Sequence, residues 1–106
     1  MAKTLAKLPE NKEFYIKNAE IFKVMSNAKR LEIMDIISAK EVTVNEISKS
    51  LGARKSNTSQ HLAYLRYVGI VNARREGKNI YYKLIDPKIM EVCKTLADVK
   101  IKSFLA

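Results

Sequence analysis

Between Thr43 and Val71 the apolar positions mark two short helices joined by a tight turn. Val44, Ile47 and Leu51 recur at i, i+3 and i+7, one face of a helix, and Gly52 follows as its stop. A second helix is predicted to begin between Arg54 and Asn57. Asn57 and Gln60 have the spacing of a capping box, in which each side chain satisfies a backbone N–H left free at a helix start. At about 100° per residue, Thr58, Leu62, Leu65 and Gly69 fall on one side, and Ser56, Ser59, Gln60, Ala63 and Tyr67 on the other. The first set suits a core. The second is small and polar toward its N-terminal end, as a helix entering a major groove must be, because Ser, Gln, Asn and Lys reach base edges whereas carboxylates repel phosphate.

From Ile70 to Ile85 the rhythm changes to a period of two. Two strand-type runs flank Glu76-Gly77-Lys78-Asn79, which predicts a hairpin. Ile80, Tyr82 and Leu84 alternate with Tyr81 and Lys83, so one face can pack on the helices, and Arg74, Arg75 and Lys78 cluster near the tip.

The flanks read as helices. Phe14, Ile21, Phe22 and Met25 have helical spacing, with Pro9 in the first turn and an end near Met25. Asn27 is the N-cap of a helix from Ala28 to about Ala39 that buries Leu31, Ile33, Met34, Ile36 and Ile37. Asp86 caps a last helix that takes Pro87 at its first position and runs to about Phe104. That helix is apolar on two adjoining faces: Ile89, Val92, Leu96 and Val99 on one, Met90, Cys93, Ala97, Ile101 and Phe104 on the other. One face packs on its own domain, and the other asks for a partner subunit. The expected fold is mostly α with a β-hairpin wing, a winged helix-turn-helix of about five helices and one two-stranded hairpin. At 106 residues it forms one domain over 1–106.

The stretch Met25 to Leu84 resembles the ArsR/SmtB family of bacterial and archaeal repressors. The resemblance is carried by the HLxxLRxxGIV-type signature at His61 to Val71 and the RREGKxxYYxL wing at Arg74 to Leu84. It implies a homodimer through the N- and C-terminal helices, about 10–25 and 87–104. The resulting expectation is a sequence-specific double-stranded DNA-binding transcriptional regulator, a dimeric repressor of a palindromic operator. Lys55, Ser56, Ser59 and Gln60 are expected at base edges, with Asn57, His61, Tyr67, Arg74, Arg75 and Lys78 as backbone or wing contacts. The alternative is a winged-helix protein-interaction module without specific DNA binding.

Charge favours a polyanion, nucleic acid being the usual one, although a basic balance alone serves a membrane surface or solubility equally well. The chain carries a formal +9, and Thr43 to Ile85 holds eight Lys/Arg against two Glu, a net of +6. Arg54 and Lys55 are mildly unfavourable at an isolated helix N-terminus, which points to a phosphate partner. No run approaches 18 apolar residues, and MAKTLAKLPE lacks the apolar core of a signal peptide, so the expected location is cytoplasmic, with no membrane partner.

Catalytic chemistry is absent from the pattern. Gly52, Gly69 and Gly77 are scattered singly and His61 is the only histidine, so no enzyme and no cofactor is expected. The family's two common metal sites fail residue by residue. Where its thiolate motif ELCVCDLA would fall, Glu41 to Ile47 puts Thr43 and Asn45 at the cysteine positions. On the last helix Asp86 survives, but Lys88, Val99 and Lys102 replace the other ligands. One cysteine, Cys93, cannot form an intrachain bond, and free cysteine packs readily as a small hydrophobe. A small-molecule or redox effector stays open, with Cys93 the candidate for the latter.

Overall fold

The computed structural model describes residues 11–100 and Lys102. Five helices and three short strands follow in the order α1 (Glu13–Met25), α2 (Ala28–Ala39), β1 (Val42–Thr43), α3 (Val44–Leu51), α4 (Lys55–Tyr67), β2 (Val71–Glu76), β3 (Asn79–Leu84) and α5 (Lys88–Asp98). This is the expected winged helix-turn-helix. The hairpin is β2–β3, and β1 extends it to an antiparallel sheet in the order β1-β3-β2, with Val42 opposite Tyr82 and Thr43 opposite Tyr81. Two residues are too few to show a period, so β1 leaves no trace in the hydrophobic pattern.

The helices are placed by their ends. Asn27 caps α2 by accepting from the Arg30 N–H at 3.0 Å. Gly52 closes α3 in the left-handed region (φ 63°), its N–H donating to the Lys49 carbonyl while Ala53 N–H donates to that of Ser48 at 2.9 Å. Gly69 (φ 85°) does the same for α4, with Ile70 N–H donating to the Leu65 carbonyl at 3.0 Å. In this arrangement two orphan carbonyls are satisfied at once, and only glycine takes the left-handed position without strain. Gly69 therefore stands past the helix rather than on its inner face.

The core lies where α2, α3 and α4 meet the sheet. Ile33, Met34, Ile37, Ile47, Leu62 and Leu65 are all at most 1% exposed, and Val42, Val71 and Leu84 close it from the strands. At about 25 cal/mol per Å² of apolar surface, each such side chain contributes roughly 1.5–3 kcal/mol. Arg30 joins three helices. Its Nε donates to the Val24 carbonyl at 2.7 Å, satisfying the end of α1, and its guanidinium lies 4.8 Å from the centroid of the Tyr64 ring on α4.

Two boundaries and one cap differ from the sequence expectation, whereas the start of α4 falls within the predicted Arg54–Asn57 window. α1 begins at Glu13, and Pro9 lies outside the described residues. α4 begins at Lys55 with Arg54 at the N-cap and no side-chain cap, so Asn57 sits inside the first turn and the Asn57–Gln60 box is not made. α5 stops at Asp98, where Val99 turns extended (ψ 129°), short of Phe104. Ile101 and Phe104 lie outside the described residues. The start of α5 agrees with the sequence: Pro87 is already helical, and the Asp86 carboxylate accepts from the Lys88 N–H at 2.9 Å.

Candidate nucleic-acid interface

α4 divides as its period requires. Thr58, Leu62 and Leu65 are buried, and Lys55, Ser56, Asn57, Ser59, Gln60, Ala63 and Tyr67 are exposed. Ile47 to Arg75 contains no Asp or Glu and six Lys/Arg, so the turn and the reading helix carry no carboxylate of their own to repel a polyanion. The helix thus combines a basic approach with short hydrogen-bonding side chains in its first two turns, the requirement for entering a groove and touching base edges. Tyr67, at the far end of α4, is 87% exposed.

His61 is different. It is half-buried and lines a cavity of about 150 Å³ with Lys29, Ile33, Leu51 and Thr58, whose rim Asn57 and Gln60 of the exposed face also form. Burial, and then the positive charge of Arg30, hold its imidazole below the ordinary histidine value.

On the wing, Arg75 is exposed opposite Ile80, and Lys78 occupies the two-residue turn with Gly77. Arg74 stands one rung farther in, opposite Tyr81. Its Nε donates to Glu41 Oε2 at 2.7 Å and its Nη1 to Glu76 Oε1 at 2.6 Å, a tie across 33 residues of chain that no local pattern reveals. Sequence reasoning also misses the capping box of α3, where Thr43 and Glu46 satisfy each other, although T-x-x-E before an apolar run is its usual signal.

The family's metal sites do not fit this chain. Thr43, at a cysteine position of the thiolate motif, has its hydroxyl committed to Glu46, and Asn45 is an exposed amide. Lys88 and Lys102 are exposed cations where the other site needs ligands. Among the described residues no three of His, Cys, Asp or Glu come together to hold an ion. Cys93 is half-buried on α5, packed against the core. No helix among the described residues is long and apolar enough to cross a membrane.

The described geometry has close relatives. The transcriptional activator HlyU of Vibrio cholerae is 34% identical over 89 residues, 84% of this chain and 82% of that protein. The nodulation protein NolR of Rhizobium meliloti is 32% identical over 103 residues, 93% of this chain and 82% of that one. Among solved structures, the homodimeric winged helix-turn-helix DNA-binding domain Mb0332 of Mycobacterium bovis superposes with a TM-score of 0.72 at 28% identity, covering 89% of this chain and 91% of that one. A model of the bacterial regulatory protein arsR family matches residues 27–73, which run from the cap of α2 through the helix-turn-helix into β2. With its fold, its basic reading helix and these relatives, the chain belongs to the arsR family of DNA-binding transcriptional regulators.

Proposed function

We propose that two copies of this chain bind a roughly palindromic operator as a repressor, one α4 in the major groove of each half-site and the wings along the flanking phosphates. The observation that carries this reading is the exposed, carboxylate-free first half of α4, Lys55 to Gln60. Lys55, Ser56, Ser59 and Gln60 reach base edges, and Asn57, Tyr67, Arg75 and Lys78 meet the backbone. His61 supports the helix from behind. The dimer forms through α1 and α5, whose Phe14, Tyr15, Ile16, Phe22, Val92 and Leu96 remain exposed on the described chain, and one relative of the same fold is a homodimer, which supports a two-copy assembly without specifying its helices. The whole acts as one domain, without catalysis, in the compartment that holds the DNA.

The experiment is selection from a random duplex pool followed by titration of the enriched duplex at several salt concentrations. Affinity should fall linearly in log–log form with a slope on the order of −0.9 per neutralised phosphate. Gln60→Ala should relax preference at one position per half-site by roughly 1–3 kcal/mol, and Arg75→Ala should weaken all sequences alike. No enrichment, with a flat salt dependence, would favour the protein-docking alternative.

A further inference from the structure

Arg74 is unlike the other cations of the wing because its charge is already matched within the protein. The sheet order puts β3 between β1 and β2, and Thr43 on β1 and Arg74 on β2 are both opposite Tyr81. The Arg74 side chain lies over that middle residue, its guanidinium carbon 4.8 Å from the centroid of the Tyr81 ring. On the far side it meets Glu41, which stands two residues before Thr43, and on its own strand it meets Glu76. Two carboxylates and an aromatic face therefore surround a single guanidinium. The pairing shifts the partners in opposite senses: the hydrogen bond from Arg74 holds the Glu41 carboxyl below the usual range, and the bonds to Glu41 and Glu76 raise Arg74. A phosphate approaching this point would meet two carboxylates along with the one cation.

The tie also lies at a mechanically sensitive place. Glu41 leads into β1, and Thr43 at the end of β1 is the cap of α3, the first helix of the reading unit. β1 offers the hairpin only two residues of ladder. We propose that Arg74 is a positioning residue: by joining β2 to the segment that enters α3, across Tyr81, it sets the angle of the wing to the helix-turn-helix, and it does not itself neutralise a phosphate. This rests on the DNA-binding function proposed above, in which the wing must reach the backbone while α4 is seated.

Glu41→Ala separates the two roles by sign. If Arg74 were a phosphate contact, removing Glu41 would release it and delete a negative charge, so binding would tighten and its salt dependence would steepen. As a positioning residue, Arg74 loses its anchor, so Glu41→Ala and Arg74→Gln should each weaken binding to the selected duplex. The expected loss is roughly three- to tenfold at about 0.15 M salt, two wings being loosened at once. The log–log salt slope should match wild type in both variants, and the double variant should be no weaker than the weaker single. Arg75→Ala is the comparator and should lower the slope by about 0.9 per subunit. Tighter binding by Glu41→Ala, a slope reduced by Arg74→Gln, or no change in either variant would overturn the assignment. Failure of the wild type to select any duplex would instead remove the DNA-binding reading, and would do so before any variant is compared.

Discussion

Thr43 and Glu46 close the first turn of α3 on each other. The Thr43 N–H donates to Glu46 Oε1 at 3.0 Å, the Glu46 N–H donates to Thr43 Oγ1 at 3.3 Å, and the Thr43 hydroxyl donates to the same carboxylate oxygen at 3.1 Å. Thr43→Ala should cost about 1 kcal/mol in urea unfolding at neutral pH, the usual value of an N-cap. The bonds from the Thr43 backbone and then its hydroxyl hold the Glu46 carboxyl below the usual glutamate range. The folded state therefore favours the ionised form, and this stabilisation is present above the unfolded value and lost as pH falls through the folded one. Glu46→Gln can still accept but cannot ionise. Its stability difference from wild type should shrink between about pH 5 and 3, and a difference constant across that window would contradict the cap's charge dependence.

The helices of the reading unit and α2 show what is legible in the sequence. Periodicity of 3.6 places Ile33, Met34, Ile37, Ile47, Leu62 and Leu65, because one period governs both the pattern and the burial. It also separates Thr58 from Ser59 and Gln60 without any knowledge of the partner helices. Capping is less legible, since the T-x-x-E of Thr43 and the N-x-x-Q of Asn57 satisfy the same rule. Which one caps depends on where the chain leaves the preceding element. The Schellman turn at Gly52 and Ala53 lets α4 start at Lys55, leaving Asn57 inside the helix. The partners of Arg74 could not be read at all, because Glu41 becomes its neighbour only when β1 joins the sheet. The exposed N-terminal face of α4 was visible from the start, whereas the wing was visible as a hairpin but not as a clamped one.

His61 gives a second pH signature in a different window. Burial first, and the charge of Arg30 second, disfavour its imidazolium in the folded chain. The unfolded chain takes up the proton near pH 6.5, so the folded state keeps its full stability above that value and loses it as pH falls from there through the lowered folded value. Urea midpoints of the wild type should therefore fall between about pH 7.5 and 5.5 more steeply than those of His61→Gln. Parallel slopes would show that His61 titrates as a solvated group.

α5 tests the dimer. Met90 is buried and Cys93 half-buried, whereas Val92 and Leu96, with Val99 just past the end of the helix, are between 43% and 52% exposed. Wild type should scatter light at twice the 12.1 kDa chain mass at micromolar concentration. Leu96→Glu sets a charge on that face without entering the core, so it should yield a folded monomer by circular dichroism that binds the selected duplex weakly. A wild-type monomer, or a Leu96→Glu variant that stays dimeric, would move the interface elsewhere.

The family resemblance invites an expectation of metal release, and the chemistry of this chain argues against it. An ion can switch a DNA-bound dimer only by binding one of two conformations better than the other, and that difference comes from several ligands closing on one ion. Thr43 is occupied in the cap of α3, Asn45 is an amide, and Lys88 and Lys102 repel cations where ligands are needed. Stoichiometric Zn²⁺, Co²⁺ or arsenite should leave duplex binding unchanged under reducing conditions. Cys93 is the remaining soft donor, half-buried against the core, and a shared ion or disulfide would need the thiols of two copies to meet across a dimer axis. Reduced and oxidised wild type should accordingly bind alike, as should Cys93→Ser. Release by Zn²⁺ or arsenite that persists in Cys93→Ser would reveal a metal site that neither family motif predicts and would overturn this reading. Loss of binding confined to oxidised wild type would make Cys93 a redox switch, because only then would a change at the thiol on α5 be transmitted to α4.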